Sequence, residues 1–247
     1  MWVRGDEPSS ARAMTRSPWA REYVRTPREY IWGTEPSPFA GEIAALLPPR
    51  EPVLDLGCGE GRDSVFFAAA GFAVTGVEVS VAGLRKAERL AQERGVQVRW
   101  IHGDMAHVAL DGPFGLVYSC GAIHYVPRPL RMRLLARLKR LTPPGGYHGF
   151  VVFTDRAVHA EKGEVIDYFA PGELERAYAD WRVLRCEQDD IACSRDGTPH
   201  HHSVERFLAA RPQGLTRVAR AHENAGVGQT TQKEDSINGR SYGTETR

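Results

Sequence analysis

Pro52-Val53-Leu54-Asp55-Leu56, continued by Gly57-Cys58-Gly59-Glu60-Gly61, decides the fold of this chain. The first five residues, apolar apart from Asp55, read as a buried strand. Three glycines at alternate positions directly behind it let the backbone turn sharply, approach a ligand closely and open a helix. The spacing also discriminates between ligands. A dinucleotide loop uses G-x-G-x-x-G to hold a pyrophosphate, whereas the pattern here is G-x-G-x-G with Arg62 where the third glycine would fall, so a nicotinamide-dependent oxidoreductase is disfavoured.

Downstream of this turn, helical and strand periodicities alternate. A short helix is expected over 62–70 and a second strand over 73–79. Ser80 reads as an N-cap, followed by a helix with apolar positions at 81, 84, 87, 90 and 91 that stops at Gly95. Strand three covers 96–101 and strand four 116–119. Leu130, Leu134, Leu135, Leu138 and Leu141 then mark a helix stopped by Pro143-Pro144-Gly145-Gly146, and strand five runs over 147–154. A helix over 171–181, a strand over 183–193, a hairpin turn at Asp196-Gly197 and a last strand over 202–209 complete the pattern. The tight turn requires the last two strands to be antiparallel. Alternating strands and helices mean a parallel α/β sheet. The expected organisation is a flexible N-terminal extension over 1–29, one domain over 30–211, and a disordered tail over 212–247 in which large apolar residues are sparse.

The 247 residues are 42% hydrophobic and 26% charged, and Lys plus Arg total 32 against 31 Asp plus Glu. A net charge of +1 provides no long-range field for nucleic acid or an anionic membrane. The longest nearly apolar run, Val65 to Val74, is too short to cross a bilayer, and the first twenty residues have no signal-peptide core. A small-molecule partner and a cytoplasmic location are expected, with no nucleic acid and no membrane. The four cysteines form no CxxC pair, so neither disulfides nor structural zinc are indicated.

Glu78 lies 21 residues after Gly57 at the carboxyl end of strand two, where one carboxylate can accept both vicinal hydroxyls of a ribose. After strand three, Asp104 of Gly103-Asp104-Met105 can accept from an adenine amino group while Met105 packs on the ring. Together with Tyr118-Ser119-Cys120-Gly121-Ala122-Ile123-His124-Tyr125, these motifs resemble the class I S-adenosylmethionine-dependent methyltransferases over roughly residues 30–211. The resemblance implies a Rossmann-like, seven-stranded α/β sheet of order 3-2-1-4-5-7-6, with strand seven antiparallel and helices on both faces. Its cofactor is S-adenosyl-L-methionine. Carried across by position, Asp55, Gly57, Cys58 and Gly59 hold the methionine part, Glu78 the ribose, and Asp104 and Met105 the adenine; Ser119 and Cys120 border the sulfonium, and Val79 and Trp32 complete the cofactor set.

Two further segments are similar to the small-molecule group that includes tellurite-resistance TehB-like proteins: Tyr30-Ile31-Trp32-Gly33 ahead of Pro36-Ser37-Pro38-Phe39, and Asp196-Gly197-Thr198-Pro199-His200-His201-His202. That resemblance implies transfer of a methyl group to a small acceptor such as a thiol or a species derived from a chalcogen oxyanion. The alternative is a non-catalytic S-adenosylmethionine-binding regulatory protein. Because a sulfonium is already an activated methyl donor, the protein mainly has to align a nucleophile. An alcohol or amine acceptor would need a general base, for which His124 is the candidate, with Tyr125 lining the pocket. The Tyr30–Trp32 segment is expected to act as a lid.

Several residues carry bland readings. Cys58 is a small residue between glycines rather than a reactive thiol. Adjacent histidines in a strand point to opposite faces, leaving at most His200 and His202 together without a visible third ligand, so no metal site is expected. Arg133, Arg137 and Arg140 share the helical face opposite the leucine stripe and read as a solvated surface. Arg156, His159 and Lys162 lie in a loop that could steer an anionic substrate.

Overall fold

The computed structural model describes residues 3–4, 18–158, 166–194 and 197–213. Seven strands follow the sequence pattern: β2 (Pro52–Leu56), β3 (Ala73–Glu78), β4 (Arg99–His102), β5 (Leu116–Cys120), β6 (Tyr147–Phe153), β7 (Arg182–Cys193) and β8 (His200–Ala210). They pair as β4-β3-β2-β5-β6-β8-β7, the expected 3-2-1-4-5-7-6, and β8 runs antiparallel to both β6 and β7. A two-residue strand, β1 (Val3–Arg4), adds an eighth member beside β4 through the parallel pairing of Val3 with Ile101.

The sheet is covered on both faces. Helices α2 (Pro38–Ala44) and α3 (Arg62–Ala69) pack Phe39, Ile43 and Phe67 against Val53, Val74, Leu116 and Tyr118. On the same side, α4 (Val81–Glu93) sets Leu84, Ala87 and Leu90 on Trp100. The opposite face carries α5 (Arg128–Arg140), whose Leu134, Leu135 and Leu138 meet Leu54, Leu56, Val117 and Phe150, together with α6 (Glu173–Ala177). Burial on both faces is why β2 reads as a nearly continuous apolar run, with Asp55 as its buried exception. Ser80 caps α4 by accepting from the Gly83 amide at 3.2 Å, and Gly95 takes φ +66° immediately after that helix.

Three expectations need correction. Residues 18–25, assigned to a flexible extension, form helix α1 (Pro18–Arg25) and bury Trp19 and Tyr23. The helix expected over 171–181 is confined to Glu173–Ala177, entered through Gly172 at φ +70°. The basic face of α5 is only partly solvated. Arg133 and Arg140 are exposed, but Arg137 donates to the Val108 and Met105 carbonyls at 2.9 and 2.6 Å, and Arg131 is fully buried over the Phe169 ring with Glu173 at 3.0 Å. A guanidinium with five donors can satisfy backbone carbonyls that leucines cannot, so basic spacing alone does not mean a wet surface. His159, Lys162, Asp196 and the tail beyond Gln213 lie outside the described residues.

Candidate functional site

A cleft of about 600 Å³ opens along the carboxyl ends of the parallel strands. Each turn leaving a strand contributes to it: Asp55, Gly57–Glu60 and Arg62 at β2, Glu78 and Val79 at β3, Gly103–Met105 at β4, and Cys120–Ala122 at β5. Open parallel sheets bind ligands there because the loops diverge where the strand order reverses.

The glycine turn is shaped by close approach. Gly57, Gly59 and Gly61 have φ of +70°, +56° and +86°. A Cβ on Gly57 would lie 2.3 Å from the Ala122 Cβ and 2.9 Å from the Met105 Cε, and one on Gly61 would lie 2.6 Å from the Ala87 Cβ of α4. The first contact keeps the cleft floor open, and the second lets α4 close on the start of α3. Cys58 sits half-buried between them, and desolvation of its thiol pushes the pKa well above the usual range, which suits packing rather than thiolate chemistry.

Five carboxylates line the cleft, against a single guanidinium from Arg62. Glu60 is neutralised by Lys86 Nζ at 2.7 Å, and Asp63 faces Arg62 at 3.7 Å. Asp104 accepts from the Ala106 amide and meets His107 Nδ1 at 2.9 Å. Among the described residues Asp55 and Glu78 have no ion-pair partner. Asp55 accepts from Ser64 Oγ at 2.6 Å, and burial, reinforced by the charge of Asp63, raises its carboxyl to about 7. Glu78 accepts one backbone N–H on each oxygen, from Gly59 at 3.0 Å and from Ser80 at 2.8 Å, and burial pushes its pKa up. A carboxylate has about four acceptor positions, so each Glu78 oxygen keeps capacity for a further hydroxyl. Uncompensated acids in a concave site favour a ligand that brings positive charge and hydroxyl donors.

The roof comes from the N-terminal segment. Trp32 lines the cleft, as expected, joined by Trp19 and Tyr23 of α1, which the sequence reading missed. The Trp19 and Trp32 rings meet edge-on at 4.6 Å. Trp32 Nε1 donates to the Tyr23 hydroxyl at 3.2 Å, and Trp19 Nε1 donates to the Tyr125 hydroxyl at 2.6 Å. Glu60 anchors this roof by accepting from the Ile31 and Trp32 amides at 3.1 and 3.0 Å, while Lys86 also donates to the Glu29 carbonyl at 2.7 Å. Tyr30 lies outside the cleft, its hydroxyl donating to the Lys86 carbonyl and its ring beneath Arg89.

Of the eleven residues assigned to the cofactor, ten line the cleft; Ser119 does not. Its buried hydroxyl donates to the Leu56 carbonyl at 2.8 Å and ties β5 to β2. His124 is also absent from the lining, whereas Tyr125 is present. The His124 ring is fully buried and stacked on Phe153 at 4.4 Å. Its Nδ1 accepts from the Phe153 amide at 3.4 Å, which leaves the proton on Nε2, an atom with no hydrogen-bond partner among the described residues. Burial, with the charges of Arg131 and His202, lowers its pKa to about 3. Behind the wall, with its one lone pair engaged, this imidazole cannot serve as the expected base.

Comparison with known proteins agrees with this geometry. Residues 53–146, which hold the glycine turn, Glu78, Asp104 and the β5 turn, match the family model described as a methyltransferase domain. The matched segment is a methyltransferase domain, and the fold around it is that of S-adenosylmethionine-dependent methyltransferases. This chain is 27% identical over 162 residues to Hemagglutinin 1 of Eikenella corrodens, covering 64% of this chain and 54% of that protein, so it spans about half the length of that relative. Its fold is that of TehB from Haemophilus influenzae, with a TM-score of 0.62 at 21% identity over 70% of this chain and 61% of the other. It is also that of 1,6-didemethyltoxoflavin-N1-methyltransferase from Burkholderia thailandensis, solved with 1,6-didemethyltoxoflavin and S-adenosylhomocysteine, with a TM-score of 0.59 at 23% identity over 84% and 93% of the two chains.

The far end of the cleft is lined by Tyr125, Val126, Leu130, Phe153, Cys193 and His202. Here one expectation fails. Cys193 and His200 are direct partners across the β7–β8 hairpin, so the histidine pair does have a third potential ligand on its own face, brought there by strand register. The Cys-x6-His-x-His spacing was the available signal; reading it requires knowing how the hairpin pairs.

Proposed function

We propose that this protein transfers a methyl group from S-adenosylmethionine to a small acceptor carrying a soft nucleophile, a thiol or a chalcogen species. The observation that carries the reading is the pair of uncompensated buried carboxylates, Asp55 and Glu78, on either side of the glycine turn. Asp55 would face the cationic methionine end and Glu78 the ribose hydroxyls, with Asp104 and Met105 at the adenine. Bound there, S-adenosylmethionine supplies a methyl group already activated by its sulfonium.

The chain's own residues then have three tasks. Glu78, Gly57 and Gly59 fix the ligand against the strand ends. Trp19, Tyr23 and Trp32 cover it and exclude water from the transfer path. Tyr125, Phe153 and Leu130 form an apolar wall that orients the acceptor in line with the methyl group. The position of His124 favours an acceptor that needs no protein base, because a soft nucleophile ionises more readily than an alcohol or ammonium. The 1,6-didemethyltoxoflavin bound to the Burkholderia neighbour is consistent with a small-molecule acceptor.

Thermal unfolding with S-adenosylmethionine, S-adenosylhomocysteine, NADH and NADPH in parallel tests the cofactor half. A ligand at 100 times its Kd adds about 2.7 kcal/mol, or roughly 5 to 11 °C for a chain of this size. Stabilisation by the two adenosyl-sulfur ligands alone is expected, and stabilisation by a nicotinamide ligand alone would overturn it. Isotope transfer from methyl-labelled cofactor to a panel of thiols and chalcogen anions tests the acceptor half. Binding without transfer to any acceptor would instead favour a regulatory protein.

A further inference from the structure

The β7–β8 hairpin places three soft donors at the acceptor end of the cleft. Cys193 pairs with His200 and Ile191 with His202, so alternation puts Cys193, His200 and His202 on one face of the hairpin. One donor atom from each lies within 4.8 Å of the others. Cys193 and His202 line the cleft. We propose that Cys193 Sγ, His200 Nε2 and His202 Nε2 bind a zinc-class divalent cation, leaving one coordination position open towards the acceptor.

The imidazoles are prepared for this role. His200 Nδ1 lies 2.7 Å from the Thr198 carbonyl, which can only accept, so that nitrogen carries the proton and Nε2 keeps its lone pair. A metal-bound histidine is oriented in the same way by a carbonyl on its far nitrogen. His200 Nε2 and His202 Nε2 converge to 2.8 Å, which requires a proton between them, carried by His202; a cation at that point takes its place as the proton moves to His202 Nδ1, and both Nε2 lone pairs then face the metal. His202 is held by stacking on Phe153 at 4.1 Å, with only 4% of its surface exposed. With metal–nitrogen and metal–sulfur bonds of about 2.0 and 2.3 Å, tetrahedral ligands sit roughly 3.4 to 3.6 Å apart. Closing the site therefore needs the donors to draw together by about 1 Å at the widest gap and the two nitrogens to part slightly, a displacement on the scale of small side-chain rotations.

Mixed thiolate and imidazole ligation suits zinc, and three protein ligands with an open fourth position is the arrangement of catalytic rather than structural zinc. The open position would take the nucleophilic sulfur of a thiol acceptor, a step that rests on the methyl-transfer reading above. On coordination the thiol releases its proton to solvent. The thiolate lone pair then forms the new carbon–sulfur bond, and the methyl–sulfonium bond breaks with its electron pair passing to the departing sulfur, giving a methyl thioether and neutral S-adenosylhomocysteine. Such a cation supplies the activation that His124 cannot.

The test uses the full chain stripped with a chelator and titrated with Co²⁺ as a spectroscopic substitute for zinc. We expect one equivalent to bind, with a thiolate-to-cobalt charge-transfer absorption that Cys193→Ser abolishes, and at least about 100-fold weaker affinity in His202→Ala. Adding 2-mercaptoethanol should shift the cobalt ligand-field bands by filling the open position. Absence of saturable one-to-one binding at micromolar Co²⁺, or a charge-transfer band that persists in Cys193→Ser, would overturn the site; unchanged ligand-field bands on adding thiol would overturn the open position. Stabilisation by S-adenosylhomocysteine, measured on the same variants, is expected to stay intact. Its loss in the wild-type chain as well would refute the cofactor reading and leave the metal result to stand separately.

Discussion

Replacing Asp55 by Asn should stabilise the ligand-free protein at alkaline pH while weakening its grip on the cofactor. Asp55 is buried in the central strand, and its carboxyl is raised from 3.8 to about 7, first by burial and then by the nearby charge of Asp63. The sign follows from proton counting. Below pH 4 the group is protonated in both states and contributes nothing. Between pH 4 and 7 the unfolded chain has released the proton while the folded chain still holds it, so stability falls as pH rises. Above 7 the full penalty is present. At about 1.4 kcal/mol per pH unit over the interval from 3.8 to 7, it amounts to about 4 kcal/mol. Asn keeps an oxygen for the Ser64 hydroxyl and has no charge to bury. Thermal unfolding without ligand should therefore separate the two proteins by under about 2 kcal/mol at pH 5 and about 4 kcal/mol at pH 8, the latter roughly 8 to 16 °C. Taking the difference between variant and wild type cancels the titrating groups that do not interact with Asp55. S-adenosylhomocysteine should bind the variant at least about 10-fold more weakly, through loss of a charge-assisted contact. A gap that does not widen with pH, or a variant less stable than wild type at pH 8, would refute the reasoning.

Glu78→Gln should weaken S-adenosylhomocysteine by roughly 10- to 100-fold in calorimetric titration, because each hydrogen bond to a charged acceptor is worth about 1.5 to 3 kcal/mol against about 0.5 to 1.5 for a neutral one, and two ribose hydroxyls are involved. An unchanged Kd would remove Glu78 from the ribose. Lys86→Met leaves the buried Glu60 carboxylate without its cation, and should lower stability by about 3 to 5 kcal/mol in urea unfolding at pH 7 and loosen the Trp32 roof at the same time. Retention of wild-type stability would mean the pair does not hold the segment. His124→Phe should keep methyl transfer within a few-fold of wild type, since the ring is walled off from the cleft. A loss of 100-fold or more with cofactor affinity intact would restore a catalytic role for that imidazole.

What could be read in the sequence was whatever local pattern determines. The buried strands run apolar because both faces are covered, and Glu78 and Asp104 stand at fixed offsets because parallel strands deliver their carboxyl ends to one edge. Helix α1 is hidden by the polar, breaker-rich stretch of residues 1–17 that precedes it, although Trp19 and Tyr23 at i and i+4 share one helical face. Arg137 was read as solvated because spacing along a helix says which face a residue occupies and nothing about the carbonyls of the β4 loop it reaches. Ser119 was assigned to the ligand by its neighbourhood, yet strand alternation turns it inward while Cys120 faces out. Cys193 and His200 became neighbours only through the register of a hairpin whose pairing no linear periodicity encodes.

The roof and the glycine turn form one unit. A Cβ on Gly59 would approach the Tyr23 hydroxyl to 2.8 Å, and one on Gly83 of α4 would meet the Gly59 carbonyl at 3.0 Å and the Tyr23 ring at 3.1 Å. Helix α1 is thus seated on two glycines, one in the ligand turn and one in the first turn of α4, and a side chain at either would push on Tyr23. Glu60, the residue between Gly59 and Gly61, then binds the roof's own backbone at Ile31 and Trp32. The glycine pattern that identifies the cofactor turn therefore also specifies the seat of the segment that covers it. A ligand that shifts this turn would therefore act on Trp32 through one carboxylate.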